Sequence, residues 1–466
     1  MPESFDDLDA HFRSTASARL DAFLELLRIP SISALSEHSD DCRRAAEWIA
    51  SALRDAGMEH VEVSPTEGRP VVYADWLHAQ GAPTVIVYAH YDVQPVDPLE
   101  EWRKPPFEPV VEGGRLYARG AADDKSHVAL LTNAAAAWLN VRGRLPINLR
   151  VVFEGEEESG SDHLDHWLAA NRERLTADLA VISDNGFFDG NLPAITTGLR
   201  GMMYAQVDVI GPSQDLHSGG YGGTVRNPAT VLAEILAGLH DAEGRITLPG
   251  FYDDVRPLDA NERAESARLP FDERAYMAEM GVEGLFGEAG YTTLERRGAR
   301  PTLDVNGLWS GFQGEGAKTI IPAQAHAKVS CRLVPDQDPK VIFEALEARV
   351  AALTPDGVRV EVTLVNTGHP SMTPLDHPAT MAAARCLEDV FGRAPLFVRE
   401  GGSIPVTASF ASILGLPVTL LGFMNPDCRA HSPNEFVRLD NWEAGHRAMV
   451  RYWAALASAG PLTAST

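Results

Sequence analysis

Residues 84–98 read TVIVYAHYDVQPVDP. The first six are uncharged and rich in β-branched and aromatic side chains, the texture of a strand buried on both faces. His90 and Asp92 follow at its end. An extended chain puts residues two apart on the same side. In open parallel sheets the carboxyl ends of the strands line the ligand crevice. An imidazole and a carboxylate placed together there point to chemistry.

The neighbouring sequence supplies more strands of this kind. VEVSP from 61, VVYADW from 71, INLRVVFEG from 147 and DLAVISD from 178 all read as strands, and residues 16–28, 43–56 and 126–141 carry apolar side chains at helical spacing. Alternating strands and helices with nearly unbroken apolar strands predict an α/β fold, with a mostly parallel sheet flanked by helices. Near residue 195 the texture changes. MMYAQVDVIG (202–211), HAKVSCRLVP (326–335) and VRVEVTLV (358–365) read as strands, with helices over 227–242 and 339–353 and a long irregular stretch between. That order predicts a small α+β layer like half of a ferredoxin-like sheet. From 374 the first texture returns, with helices over 377–391 and near 441–457. The organisation expected is a discontinuous catalytic domain, 1–195 and 374–466, with an α+β domain inserted over 196–373.

Composition narrows the partners. Among 466 residues, 40 Lys and Arg face 65 Asp and Glu, a formal charge of −25. Such a surface repels phosphate backbones, so nucleic acid is not an expected partner. Cys42, Cys331, Cys386 and Cys428 form no CxxC pair and read as free thiols of a reducing compartment. The N-terminal MPESFDDLDA carries no apolar leader, so a cytoplasmic location is expected. Residues 405–424, PVTASFASILGLPVTLLGFM, are uncharged and long enough to span a bilayer. Gly415 and Pro417 split them into a helix start and a buried strand, so a place in the core is expected rather than a membrane.

Further acids stand where strands end. Glu156, Glu157 and Glu158 follow INLRVVFEG, and Asp184 ends DLAVISD. Asp123 and Asp124 in GAADDKSH open a helix, and His431 in RAHSPNE follows PVTLLGF. Each feature alone has an ordinary explanation: a Glu run is usually solvated or sits at a helix N-terminus, and an Asp pair before a helix is usually a cap. Together, at one sheet edge, they would repel one another strongly unless cations lay between them. Two divalent ions about 3.5–4 Å apart, bridged by a carboxylate and a water, make a hydrolytic site. Imidazole and carboxylate ligands suit Zn²⁺, with Mn²⁺ or Co²⁺ as alternatives.

The set AHYDVQP, RGAADDK, EGEEESGS, ISDN, DLHSGGYGG and AHSPNE resembles the M20 metallopeptidases, in particular their dipeptidase branch, and PFDE, GYTTLERR, RPTLDVNG and GEGAKTIIPAQAHAKVSCRLVP extend the resemblance over nearly the whole chain. The resemblance implies that His90 and Asp184 hold one metal ion, Glu158 and His431 the other, and that Asp123 bridges them. It implies that Glu157 is the general base and that Asp92 orients His90 from behind. It also implies a cis peptide between Asp123 and Asp124. The inserted domain becomes a lid and dimerisation domain, with His217 reaching the active site of the other subunit of a homodimer to donate to the oxyanion. Without the resemblance, His217 reads as a loop histidine capped by Asp215. Arg332 resembles the arginine that pairs with the substrate's C-terminal carboxylate. Gly401, Gly402 and Ser403, read as opening a helix, would offer backbone N–H groups to the same carboxylate. Glu400 and Thr319 are further candidates for substrate contact.

Asp rather than Glu at 184 is the dipeptidase and aminopeptidase pattern of that family. Ser126 stands where carnosinase-like members commonly have Gly, and Glu156 replaces an apolar residue. The resemblance thus implies hydrolysis of dipeptides or short peptides with a free C-terminal carboxylate. Removal of an N-acyl group from an amino acid is the alternative on the same scaffold. A catalytically silent peptide-binding dimer is the alternative of another class. A two-metal phosphoesterase would need a basic phosphate cluster beyond Lys125.

Overall fold

A computed structural model of the chain describes residues 4–190, 192–402, 404–460 and 462. It divides into two compact units. The first comprises Met1–Thr197, Thr373–Val398 and Ser409–Thr466, and the second Gly198–Met372 and Arg399–Ala408.

In the first unit the strand Thr84–His90 lies between Asn148–Glu154 and Leu179–Ile182, parallel to both, and Val418–Leu420 extends the parallel set beyond Leu179–Ile182. Antiparallel wings flank this centre: Val71–Trp76 and Glu59–Ser64 on one side, Ala194–Leu199 on the other. The register sets His90 beside Glu154 and Tyr88 beside Ile182, so the parallel strands end at nearly the same level. The opening stretch is buried on both faces. Val85, Val87 and Ala89 join a core with Leu130, Ala134, Trp138, Met449 and Trp453. Tyr88 meets Phe410 edge-on at 5.8 Å.

The helices covering that core are Asp6–Leu27, Ser39–Asp55, Lys125–Arg142, Pro378–Phe391 and Leu439–Ala457. Lys125–Arg142 and Leu439–Ala457 pack closely because small residues line the contact. A Cβ on Gly445 would stand 2.6 Å from Leu130 and 2.9 Å from the Phe423 ring. The uncharged stretch 405–424 is split as expected: the helix Pro405–Leu414 ends at Gly415 in the left-handed region (φ +71°), and the strand Val418–Leu420 follows. Among the described residues no helix is long and apolar enough to cross a membrane. All four cysteines are free and buried.

The second unit holds a four-stranded antiparallel sheet, in the order Thr302–Ser310, Gln324–Leu333, Gly201–Ile210, Arg359–Gly368. Met203, Ala205, Val207 and Val209 alternate inward and pack with Leu232 and Ile235 of the helix Pro228–Ala237 and Leu346 of Pro339–Leu353. The sequence predicted three strands here; Thr302–Ser310 is the fourth. The stretch expected to be irregular also contains the helices Ala260–Arg268, Glu273–Met280 and Thr293–Gly298.

Candidate active site

The parallel register delivers the acids to one edge. His90 is the last residue of its strand, Asp184 lies two residues beyond Leu179–Ile182, and Glu157 and Glu158 begin a single 3₁₀ turn after Asn148–Glu154. Asp123 lies just before the helix Lys125–Arg142, joined to Asp124 by a cis peptide bond. His431 lies in the segment before Phe436–Arg438, in the left-handed region at φ +59°.

The side chains converge around Asp123. One carboxylate oxygen, Oδ1, is 3.0 Å from His90 Nε2, and the other, Oδ2, is 3.0 Å from His431 Nε2. Glu158 Oε2 is 3.1 Å from His431 Nε2, and Asp184 Oδ1 is 3.7 Å from His90 Nε2. Two groups thus offer ligand atoms within 4.8 Å of one another: His90, Asp124 and Asp184, and Asp123, Glu158 and His431. Asp124 is otherwise engaged. Its Oδ2 accepts the backbone N–H of His90 at 3.0 Å, and its Oδ1 pairs with His127 Nδ1. Asp123 is the carboxylate with an imidazole on each oxygen.

A layer behind the site fixes these groups. His90 Nδ1 faces the Asp92 backbone carbonyl at 3.2 Å and Asp92 Oδ1 at 3.3 Å, so Nε2 is the nitrogen turned to Asp123 and Asp184. The Asp92 carboxylate also accepts the backbone N–H of Glu157 at 3.2 Å and of Glu158 at 2.9 Å. One carboxylate therefore sets both His90 and the acidic turn. Gln94 donates to Glu158 Oε2 at 2.7 Å.

The electrostatics are those of crowded acids short of positive charge. Burial holds the Glu157 carboxyl well above its usual range and pushes Asp184 up to about 7. His431 is pushed up to about 10 by its bonds to Asp123 and Glu158. Burial opposes ionisation of Asp123 as well, but the two imidazoles outweigh it and hold this carboxyl below its usual range. Divalent cations fit such a set: their charge offsets the repulsion, and the nitrogen and oxygen donors are those that zinc, manganese and cobalt accept.

Other expected participants lie elsewhere. Glu156 turns away, with both oxygens 3.0 Å from His163 Nδ1, and Ser126 donates to the Ala122 carbonyl at 3.0 Å. Lys125 is buried and donates to the carbonyls of Leu26 (3.2 Å) and Ile29 (2.6 Å), so it is no phosphate ligand.

The remaining candidates are in the second unit. His217 is exposed, and its Nδ1 accepts the N–H groups of Gly219 (3.0 Å) and Gly220 (3.2 Å), which leaves the ring proton on Nε2. Asp215 does not cap it. That carboxylate accepts from Ala323 N at 3.0 Å and lies 3.4 Å from Lys318 Nζ. The Thr319 carbonyl accepts Ser218 N at 3.2 Å, beside His217. Arg332 lies opposite Met202 and Thr302 in the sheet. Glu400 ends the strand Leu396–Glu400. Gly401 and Gly402 do not open a helix. Their carbonyls accept from Arg200 Nε (3.1 Å) and Arg200 N (3.2 Å), and the next helix begins at Pro405. Ser403 lies outside the described residues. Burial, with Arg332 and Arg297 nearby, lowers Arg200 to about 10. Sequence reasoning passed over Arg200, as it did Gln94, Arg119 and Glu435. An arginine one or two residues beyond a strand and a glutamate in a loop carry no sequence signal of their own.

Comparison with known proteins places this geometry. The profile of "Peptidase family M20/M25/M40" matches residues 86–455. The Cys-Gly metallodipeptidase DUG1 of Candida albicans is 33% identical over 92% of this chain and 93% of its own length. Among solved structures, the M20 family metallo-carboxypeptidase Sso-CP2 of Sulfolobus solfataricus superposes with a TM-score of 0.83 at 31% identity, covering 94% of this chain and 99% of that one. Human carnosine dipeptidase 1 superposes with a TM-score of 0.80 at 28% identity, covering 98% of this chain and all of the other. With its acids gathered at the carboxyl edge of a parallel sheet, and with relatives matched over nearly its full length, the chain belongs to the peptidase family M20/M25/M40.

Proposed function

We propose that this chain, a metallodipeptidase of the M20 family, binds two divalent ions at the paired ligand groups and hydrolyses dipeptides or short peptides with a free C-terminal carboxylate. The observation that carries this is the Asp123 carboxylate, with His90 on one oxygen and His431 on the other, both at 3.0 Å. His90 and Asp184 would hold one ion, Glu158 and His431 the second, and Asp123 both. Zinc suits the donors best, with manganese or cobalt as alternatives. When bound, such ions polarise a carbonyl and acidify a water.

The remaining roles fall to side chains. Glu157, half-buried beside the cluster, takes a proton on its carboxylate and delivers it to the leaving amine. Its raised affinity for protons suits a base that must later act as an acid. Asp92 keeps Glu157 in place through its N–H and fixes the tautomer of His90. His217 carries its proton on Nε2 and is exposed. We assign it to the oxyanion of a partner subunit's site, which makes the working form a homodimer. Arg332, with Arg200 close by, provides the positive region for the substrate carboxylate. Thr319, Glu400, Gly401, Gly402 and Ser403 remain candidates to line the substrate.

Substrate class is tested by offering the purified protein dipeptides, longer peptides and N-acetyl amino acids side by side. Preferential cleavage of dipeptides supports the proposal. Preference for longer peptides would align the chain with the carboxypeptidase it superposes on, and activity confined to N-acetyl amino acids would make it a deacylase.

A further inference from the structure

Beneath the cluster lies a buried ion pair that belongs to neither ligand group. Arg119 Nη1 donates to Glu435 Oε2 at 2.8 Å, and both side chains are essentially inaccessible to solvent. Their other hydrogen bonds are to backbone groups, and they join three loops. Glu435 Oε1 accepts the N–H of Ala122 at 2.8 Å and of Asp123 at 3.0 Å, and Oε2 accepts the N–H of Gly120 at 3.0 Å. Arg119 Nη2 donates to the Pro95 carbonyl at 2.9 Å, in the loop that follows His90 and Asp92. Its Nη1 also lies 3.4 Å from the Ser432 carbonyl, next to His431. The guanidinium rests over the Trp102 ring, 5.3 Å from its centre.

We infer that Arg119 and Glu435 are positioning residues for the metal pair. Glu435 holds the amide of Asp123 itself, so it fixes where the shared carboxylate stands. Arg119 ties the loop after His90 to the loop bearing His431, so it fixes the separation of the two imidazoles that Asp123 serves. A planar guanidinium with donors in a fixed fork suits this task, because it satisfies a carboxylate and two carbonyls at once. Glu435 also stands close to Asp123, and the charge of Arg119 permits a second buried carboxylate there. This inference rests on the metal reading of the site.

The test is metal affinity. Chelator-stripped full-length protein is titrated with Zn²⁺ against a chromophoric chelator, and separately loaded with Co²⁺ to record its visible ligand-field bands. Glu435→Gln keeps the shape but removes the charge that holds the three amides. Its weaker Zn²⁺ site is expected to lose about 10–100-fold in affinity, the usual scale for groups that orient ligands, with altered Co²⁺ bands. Glu435→Asp keeps the pair charge-balanced, and so the chain folded, but draws the acceptor back by one methylene; the same loss is expected. If either folded variant binds both ions within about twofold of wild type with the same Co²⁺ spectrum, the pair is merely structural and the inference fails, even where Tm falls. If the wild-type chain takes up no metal, the reading of the site fails as well, so the two failures are distinguishable.

Discussion

A buried carboxylate with an imidazole on each oxygen is the residue-scale fact from which the chemistry follows. Around Asp123, the chain must either hold protons on its acids or hold cations between them. In the metal-free chain at pH 7, His431, pushed up to about 10, is protonated; burial works against a charge on His90, but its bonds to Asp123, Asp184 and Asp92 outweigh it and hold that imidazole well above its usual range, so it too is protonated; and Asp184, pushed up to about 7, is partly so. All three must deprotonate to act as ligands, so metal uptake releases protons, and affinity falls as pH falls. Titrating the stripped protein with Zn²⁺ at pH 7 is expected to release about two to three protons per chain, read as a buffer-dependent heat. Uptake with no proton release would contradict these assignments. Glu157→Gln is expected to lower kcat by about 10²–10⁴-fold with metal content unchanged, measured by steady-state kinetics and elemental analysis. His90, Asp123, Glu158 and Asp184 were legible as site candidates because each stands where an apolar run stops or a helix begins, whereas His431, in AHSPNE, stood out chiefly through the family resemblance. Two things were not legible. Asp92 holds the acidic turn as well as His90, because that depends on backbone N–H groups 65 and 66 residues away. Glu156 turns to His163 rather than to the site, because a 3₁₀ turn begins at the next residue.

At the scale of elements, the long apolar strands and the helix Lys125–Arg142 were readable from period and composition alone. The strand Thr302–Ser310 was not. Its Asn306–Gly307 pair reads as a turn, but in the sheet it absorbs a register shift between Val305 and Gly307. Three short helices in the same region were also missed, although two announce themselves by capping boxes, Asp259 with Glu262 and Thr292 with Glu295. Their apolar faces are too narrow for periodicity to reveal them. The sheet is parallel at its centre, where the site is built, and antiparallel at its wings, where nothing requires a crossover helix. The helix packing makes its own prediction. Gly445→Ala would drive a methyl group into Leu130 and Phe423. It is expected to cost about 1–3 kcal/mol in urea unfolding and to leave zinc affinity unchanged. A loss below about 0.5 kcal/mol would mean that the two helices separate more readily than their packing implies.

For the whole molecule, the proposed homodimer makes each active site depend on two chains. His217→Ala is expected to lower kcat by about 10²–10³-fold, the usual cost of one oxyanion donor. Co-expressing His217→Ala with Glu157→Ala gives a sharper test. In a mixed dimer, the first chain keeps its base and borrows His217 from the second. Random pairing then restores about a quarter of wild-type sites, whereas sites complete within one chain would stay inactive in every combination. The proposed reaction is cleavage of dipeptides by metal ions at the Asp123 cluster, with Glu157 as base. It is tested most directly by stripping the wild-type and Glu157→Ala proteins with chelator, reloading both with Zn²⁺ or Mn²⁺, and following one good dipeptide substrate. The expected result is that hydrolysis vanishes on stripping, returns on reloading of the wild type, and does not return in Glu157→Ala although it binds the same number of ions. Hydrolysis that survives complete removal of metal, or that Glu157→Ala recovers in full, would contradict the claim.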